Sequence, residues 1–334
     1  MAGVTADRCP GVLRPHLAAD GAMVRVRIPG GQTTGAALGR LGELAAVYGS
    51  GLLQLTSRGS LQIRGLADRV PEEFVAEITA AGFLPSAPHE RVRNIIASPL
   101  TGLHGGRADL RQMVGGLDEA LRASADLAGL SGRFLFALDD GRGDVITLPF
   151  DVGYQAIDPD QGVIMVGDQR RLVPATEAVP ALIAAARTGG PDPTLRPARG
   201  GSLAPFLGAV GDHASVVVPL GFLTPEQLAA VRAASGDGPV VVTPWRGLVI
   251  PYAAARVPDL AATGLVTDDA SPWTLITACV GAPYCSKARM ETLAAARELA
   301  GRPASTPLRR THLSGCERRC GAPNSDHVEL VAHA

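Results

Sequence analysis

Apolar and charged residues alternate from Met23 to Ile28, the period of a strand with one face buried. Gly30-Gly31 then marks a turn. From Thr33 to Tyr48 the apolar positions Ala37, Leu38, Leu41, Leu44, Ala45 and Tyr48 recur at intervals of three and four, which predicts an amphipathic helix closed by Gly49-Ser50-Gly51. Two strands are expected next, Leu52 to Thr56 and Leu61 to Arg64, joined by Ser57-Arg58-Gly59-Ser60. Pro71 opens a short helix over Glu72 to Ala81. Before all this, Arg8 to Pro15 reads as an irregular, proline-punctuated lead-in, with Cys9 as a small buried or idle thiol.

The same order returns later. Ala214 to Pro219 reads as a strand, and Thr224-Pro225-Glu226-Gln227 is a capping box with proline at the first helical position. The helix it opens runs to about Ala234 and is broken by Gly236-Asp237-Gly238, after which Val240 to Thr243 and Leu248 to Ile250 flank Pro244-Trp245-Arg246-Gly247. Strand, helix, strand, arginine-bearing turn, strand therefore occurs twice, a long-period duplication. The segments after the two units also correspond. Arg93 to Pro99 leads into a helix over about Gly106 to Leu127, and Thr274 to Cys279 leads into one over Lys287 to Leu299. A last strand is expected at Val328 to Val331. The expected units are 1–85 and 206–262 as related α+β halves, 86–187 as a cysteine-free α/β unit, 263–334 as its cysteine-bearing counterpart, and 188–205, rich in Gly, Pro and Arg, as a linker. A pseudo-twofold α+β protein with one site between its halves is the expected fold class.

Composition narrows the function classes. With 334 residues, 46% apolar and 19% charged, the chain is long enough for about two domains with real cores. A net charge of -1 gives no general attraction to nucleic acid, and no apolar run reaches the roughly 18 residues a membrane span needs. Met1 to Arg8 carries acid and lacks a signal-peptide core, so a cytoplasmic location is expected. Lys287 is the sole lysine, so almost every fixed cation is an arginine fork suited to gripping carboxylates.

Four of the five cysteines fall in two tight pairs near the end: Cys279 and Cys285 as C-x5-C, Cys316 and Cys320 as C-x3-C. Four thiolates from two short loops make a soft cage that selects zinc, copper(I) or an iron–sulfur cluster. Structural zinc usually leaves two to four residues between ligands, which C-x5-C exceeds, whereas a [4Fe–4S] cube is larger and takes cysteines from separate loops. The spacing favours the cluster over zinc and over unliganded or disulfide-bonded thiols, and nothing marks the chain as secreted. The segment Gly30-Gly31-Gln32-Thr33-Thr34-Gly35 lacks the G-x-G-x-x-G register, so nicotinamide or flavin binding is not expected.

Duplication, cysteine spacing and the Thr56-Ser57-Arg58 turn together resemble the sulfite and nitrite reductase superfamily, over nearly the whole chain. In that superfamily two ferredoxin-like halves clamp a tetrapyrrole beside a [4Fe–4S] cluster. The N-terminal Cys9-Pro10-Gly11-Val12, with Ala19-Asp20-Gly21, and Thr243-Pro244-Trp245-Arg246-Gly247 look like its precorrin-3B synthase branch, which acts in aerobic cobalamin biosynthesis. That resemblance implies a metal-free tetrapyrrole substrate, precorrin-3A, hydroxylated by O2 at C20 while a ring-A acetate closes to a γ-lactone. It implies a [4Fe–4S] cluster on Cys279, Cys285, Cys316 and Cys320 and a mononuclear non-haem iron whose ligands it does not name. No histidine pair has ligand spacing; His312 near the cluster loop and His104 after the Arg93 segment are open to that role, and each reads first as a satisfied or exposed histidine. Reducing electrons would come from an outside ferredoxin or reductase. The carboxylate arms would be held by Arg58 on the Thr-Thr-Arg-like turn, by Arg93 in Arg-Asn-Ile, and by Arg133 where the reductases carry a Lys-Phe-Lys element, with Arg64 and Arg246 as further candidates.

Departures from the reductases matter as much. They aim two lysines at a small oxyanion above a haem iron. Here the first position is Arg133 and the second is Leu135, an apolar residue where a reductase needs charge. The resemblance therefore favours an oxygenase, with a sirohaem-dependent sulfite or nitrite reductase as the chief rival. A non-catalytic cluster protein is the other rival, and it leaves the arginines without a purpose.

Overall fold

The computed structural model describes residues 9–188, 206–303, 308–323 and 326–333. The expected linker lies outside these residues except for Thr188, which ends a helix, and Met1 to Arg8, the stretch without a signal-peptide core, lies outside them too. Among the described residues no helix is long and apolar enough to cross a membrane.

Among the described residues, three five-stranded sheets and one of three strands carry the fold. The first orders His16–Ala18, Gly21–Val26, Leu61–Leu66, Leu53–Leu55 and Phe222–Leu223. Its twin orders Gly208–Val210, His213–Val217, Gly247–Ile250, Pro239–Val242 and Gln32–Thr34. Each ferredoxin-like half thus completes the other's sheet with one short strand: Phe222–Leu223 pairs Leu53–Leu55, and Gln32–Thr34 pairs Pro239–Val242. Both exchanged strands come immediately before the helix of their own half, so the exchange is reciprocal.

Local chemistry explains the helices of these halves. Gly35–Tyr48 starts where the Thr34 hydroxyl accepts the Ala37 amide, and Pro225–Ser235 starts at the complete capping box of Thr224 and Gln227. The two helices meet closely. Gly42 lies against Leu228 and Gly39 against Arg232, so a side chain at Gly42 would collide with the partner helix. Beneath them lies one continuous apolar core drawn from both halves, including Leu38, Leu41, Ile63, Val216, Leu248 and Ile250. Two segments far apart along the chain therefore fold as one body.

Each half is followed by a parallel unit. Ile95–Ala97, Phe136–Asp139 and Val152–Ala156 run parallel, then Gln161–Val166 and Gln169–Pro174 turn back as an antiparallel meander. Helices Arg111–Ala123 and Ala178–Thr188 bury Val114, Leu117, Leu182 and Ile183 in a second core with Phe134, Phe136 and Tyr154. Ile276–Ala278, Thr311–Ser314 and Val328–Val331 form the counterpart parallel sheet, covered by helix Thr292–Ala300. The helices Arg111–Ala123 and Thr292–Ala300 are both shorter than their periodicity predicts. The stretch from Cys279 to Glu291 is looped instead, tied by Ala282 N to Met290 O (2.9 Å) and Ala288 N to Cys285 O (3.0 Å).

Candidate functional site

A cavity of about 320 Å³ opens between the halves and the C-terminal sheet, within the range of small-molecule sites. Its floor is apolar, with Ile96, Leu135, Leu148, Trp245 and Trp273. Arg58, Arg246 and Arg310 supply its cations, Asp269 is its one lining carboxylate among the described residues, and Gly321, Ala322 and Pro323 bring the second cysteine loop to its wall.

Two turns with the same bonding place the first two arginines. In Thr56–Ser60 the Thr56 amide donates to the Ser60 carbonyl (3.0 Å) and the Ser60 amide to the Thr56 hydroxyl (3.2 Å). In Thr243–Gly247 the same bonds are 2.9 Å and 3.1 Å. The arginines, however, are one position out of step. Arg58 corresponds to Trp245, and Arg246 occupies the place of Gly59. Gly59 has φ 62° and Arg246 φ 58°, so an arginine is held in the left-handed region that glycine normally takes. Such strain collects at functional sites. The Arg246 side chain passes Gly221 and reaches Gly321, beside Cys320. Burial lowers its pKa with no carboxylate to offset it.

Arg58 is half-buried, its Nη1 donating to the Arg133 carbonyl at 2.6 Å, and burial holds its guanidinium below its ordinary value. Arg133 contributes that carbonyl while its own side chain is exposed. Arg93 does not line the cavity. Asp118 takes its Nε at 2.6 Å and Nη2 at 3.0 Å, and Arg122 shares the carboxylate, so the arginine expected to grip a substrate arm is spent on an internal ion pair. Arg64 is likewise held, by Asp20 at 3.0 Å and 2.8 Å.

Two arginines of the first alternating strand were not singled out by the sequence. Arg27 is only 2% exposed, and its Nε and Nη2 have no hydrogen-bond partner, while Nη1 reaches the Pro10 carbonyl at 3.2 Å. Burial first, then the neighbouring Arg25, pulls its pKa to about 9, and Arg58 acts on both arginines. Alternation alone assigns such residues to solvent. The signal available was two arginines at i and i+2 on one face with no acid between or beside them.

The cysteine loops leave the carboxyl ends of adjacent parallel strands, where α/β sheets bind their ligands. Cys279 follows Ala278, and its amide donates to Leu313 O at 3.0 Å. The Gly315 amide donates to Cys279 Sγ at 3.2 Å, and Arg289 N bonds Gly315 O at 2.8 Å, tying one loop to the other. None of the four is in a disulfide. Cys320 is exposed and the other three are half-buried; partial desolvation raises the Cys320 pKa, with Cys279, Cys316 and Cys285 adding to the shift against Arg318. Among the described residues no three His, Cys, Asp or Glu side chains are close enough to share a single metal ion. Four thiols on two neighbouring loops are a soft donor set of the chemistry an iron–sulfur cluster takes, and the Gly315 N–H···S bond to Cys279 is of the kind that tunes one.

The candidate iron ligands fare differently. His104 is exposed, whereas His312 is fully buried, its Nδ1 2.9 Å from the Thr277 hydroxyl, and burial followed by Arg246 pulls its pKa to about 4. No mononuclear iron site among the described residues fits the two.

The nitrite/sulfite reductase ferredoxin-like half domain matches residues 15–81. The solved structure of Mycobacterium tuberculosis NirA superposes with a TM-score of 0.71 at 19% identity, over 90% of this chain and 69% of that one. The chain has the nitrite/sulfite reductase fold. Its duplicated ferredoxin-like halves are those expected from the sequence. A precorrin-3B synthase of a Sinorhizobium species is 28% identical over 99% of this chain and 82% of its own. The ferredoxin–nitrite reductase of Synechococcus elongatus is 26% identical over 92% and 76%. The resemblance drawn from the motifs, to precorrin-3B synthase within that superfamily, is thus borne out by similarity over nearly the full length. Both named relatives are enzymes.

Proposed function

We propose that this chain is an oxidoreductase of cobalamin biosynthesis, an oxygen-dependent precorrin-3B synthase of the cytoplasm. The observation that carries the reading is the cavity itself: arginines without a lysine, over an apolar floor in which Leu135 is 3% exposed. A metal-free ring with many carboxylate arms suits that lining, and a small inorganic oxyanion does not. Arg58 and Arg246 meet arms from the two turns, and the buried Arg27 offers two unspent donors on the first half. Trp245 and Trp273 bound the ring's faces and exclude water.

Hydroxylation at C20 places one oxygen atom of O2 on carbon and the other in water, which requires two electrons and two protons. A [4Fe–4S] cluster on Cys279, Cys285, Cys316 and Cys320 supplies single-electron transfer when bound. Those electrons come from an external ferredoxin or reductase, since no nicotinamide motif is present. Residues that would hold a mononuclear iron do not come together among those described.

The similarity to a nitrite reductase favours a second reading, a sirohaem enzyme acting on nitrite or sulfite. One experiment separates them: the visible spectrum of anaerobically purified protein with iron and sulfide assayed, followed by precorrin-3A and air. Broad iron–sulfur absorption without haem bands and oxygen-dependent turnover are expected. Sharp haem bands with nitrite or sulfite turnover would overturn the proposal.

A further inference from the structure

Arg64 lies on strand Leu61–Leu66, and its side chain is fixed on every side. Asp20, in the turn between the first two strands, accepts Nε at 3.0 Å and Nη2 at 2.8 Å, a two-point grip that sets the plane of the guanidinium. Nη1 meets Met23 Sδ at 3.0 Å. Nη2 then reaches across the molecule to the carbonyl of Tyr284 at 3.3 Å. Tyr284 is the residue before Cys285. An arginine of the first half therefore holds the peptide that carries a cysteine of the last unit, 220 residues further along the chain. Its side chain is 9% exposed and that of Asp20 15%, so water screens the pair little.

The cavity does not use this pair, and the Ala19-Asp20-Gly21 segment has no other task in the site. We propose that Asp20 and Arg64 are a positioning pair that fixes the Cys285 loop and sets the reduction potential of the cluster bound there. Such a role rests on the cluster proposed for the four cysteines. Groups one step removed from the ligands orient them and tune the metal, and charge and hydrogen bonding near the sulfurs set cluster potentials. Arg64 stands nearer the loop than Asp20 does, so the cation favours the reduced, more negative cluster, and the carboxylate partly offsets it.

That arrangement predicts opposite shifts from the two partners. Arg64→Met and Asp20→Asn are purified anaerobically as the full chain, with Arg64→Lys as the conservative variant. Iron and sulfide, the cluster midpoint by redox titration and the EPR line shape are measured on each. Arg64→Met should move the midpoint negative and alter the line shape, Arg64→Lys should restore most of the midpoint, and Asp20→Asn should move it positive. A pair that merely held the fold together would move both variants the same way, which would overturn the proposal. Unchanged midpoints in loaded protein would also overturn it, and if Arg64→Met does not fold, the sign of the Asp20→Asn shift decides. Wild-type protein without iron and sulfide would instead remove the cluster reading, and this pair's role with it.

Discussion

Arg246 offers a test in which stability and binding should move in opposite directions. At φ 58° its backbone is in a region that a residue with a Cβ occupies at a cost of about 1–2 kcal/mol. Arg246→Ala and Arg246→Gly both remove the guanidinium, and only glycine also removes the strain. Against this, glycine's extra freedom in the unfolded chain costs about 0.4–1 kcal/mol. The glycine variant should therefore be the more stable of the two by roughly 0.5–1 kcal/mol. Denaturant unfolding of both variants in parallel reads the difference directly. The twin turn supplies the reverse experiment. Gly59 has φ 62°, and a Cβ there meets only the Val242 carbonyl at 3.4 Å, an ordinary contact, so Gly59→Ala should cost about 1 kcal/mol through backbone strain alone. Binding tells the other half. Losing a charge-assisted hydrogen bond to a carboxylate arm costs about 1.5–3 kcal/mol, or roughly 10- to 150-fold in Kd for a carboxylated tetrapyrrole. Both Arg246 variants should show it equally. An alanine variant as stable as the glycine variant would refute the strain argument, and unchanged affinity would take Arg246 out of the binding site.

Two further predictions concern buried charge. Asp118→Ala leaves Arg93, whose side chain is 6% exposed, without its counter-ion and should destabilise the fold by about 3–5 kcal/mol in denaturant unfolding; a loss of about 0.5 kcal/mol, typical of a surface site, would show the pair to be dispensable. Burial raises the Asp144 carboxyl from 3.8 to about 6, so the folded chain binds the proton more tightly than the unfolded one and stability falls as pH rises through that window. Asp144→Asn should remove that slope and gain on the order of 2–3 kcal/mol over wild type at pH 7 relative to pH 4; parallel slopes in the two proteins would sink the idea.

What the sequence disclosed and what it withheld divide along physical lines. Helix Gly35–Tyr48, the capping box at Thr224 and the cysteine spacings are local signals, written in neighbouring residues, and they led to the duplicated fold. The exchanged strand Phe222–Leu223 is two residues long and has no period to detect. The fates of Arg64 and Arg93 depend on Asp20 and Asp118, 44 and 25 residues away in sequence, so no local pattern separates a substrate-facing arginine from one held by an acid. Arg27 was hidden by a rule that is right on average. Alternation separates the two faces of a strand but does not say whether the polar face meets water or the rest of the protein.

Why only the second copy carries cysteines can be argued from bonds common to both. Ser98 follows strand Ile95–Ala97 as Cys279 follows Ile276–Ala278. The Ser98 amide donates to Leu138 O at 3.0 Å, and the Cys279 amide to Leu313 O at the same distance. Asp140 N donates to Ser98 Oγ at 3.1 Å, and Gly315 N to Cys279 Sγ at 3.2 Å. The two edges are one construction with different occupants. In the first copy Asp139 receives the Gly141 and Gly143 amides at 2.9 and 2.8 Å, Asp140 grips Arg142, and the Ser98 hydroxyl donates to Asp144 at 2.6 Å. That edge satisfies itself and leaves no ligand set open. In the second copy Gly315 replaces the Asp140 carboxylate, Cys316 and Cys320 stand where Gly141 and Val145 stand in the first, and thiols take over an edge whose counterpart is filled by carboxylates. Thiols are weak hydrogen-bond acceptors and strong soft-metal ligands. The same backbone thus builds a closed knot on one side of the cavity, and on the other an edge that a bound cluster would complete, next to the wall that Arg246 reaches.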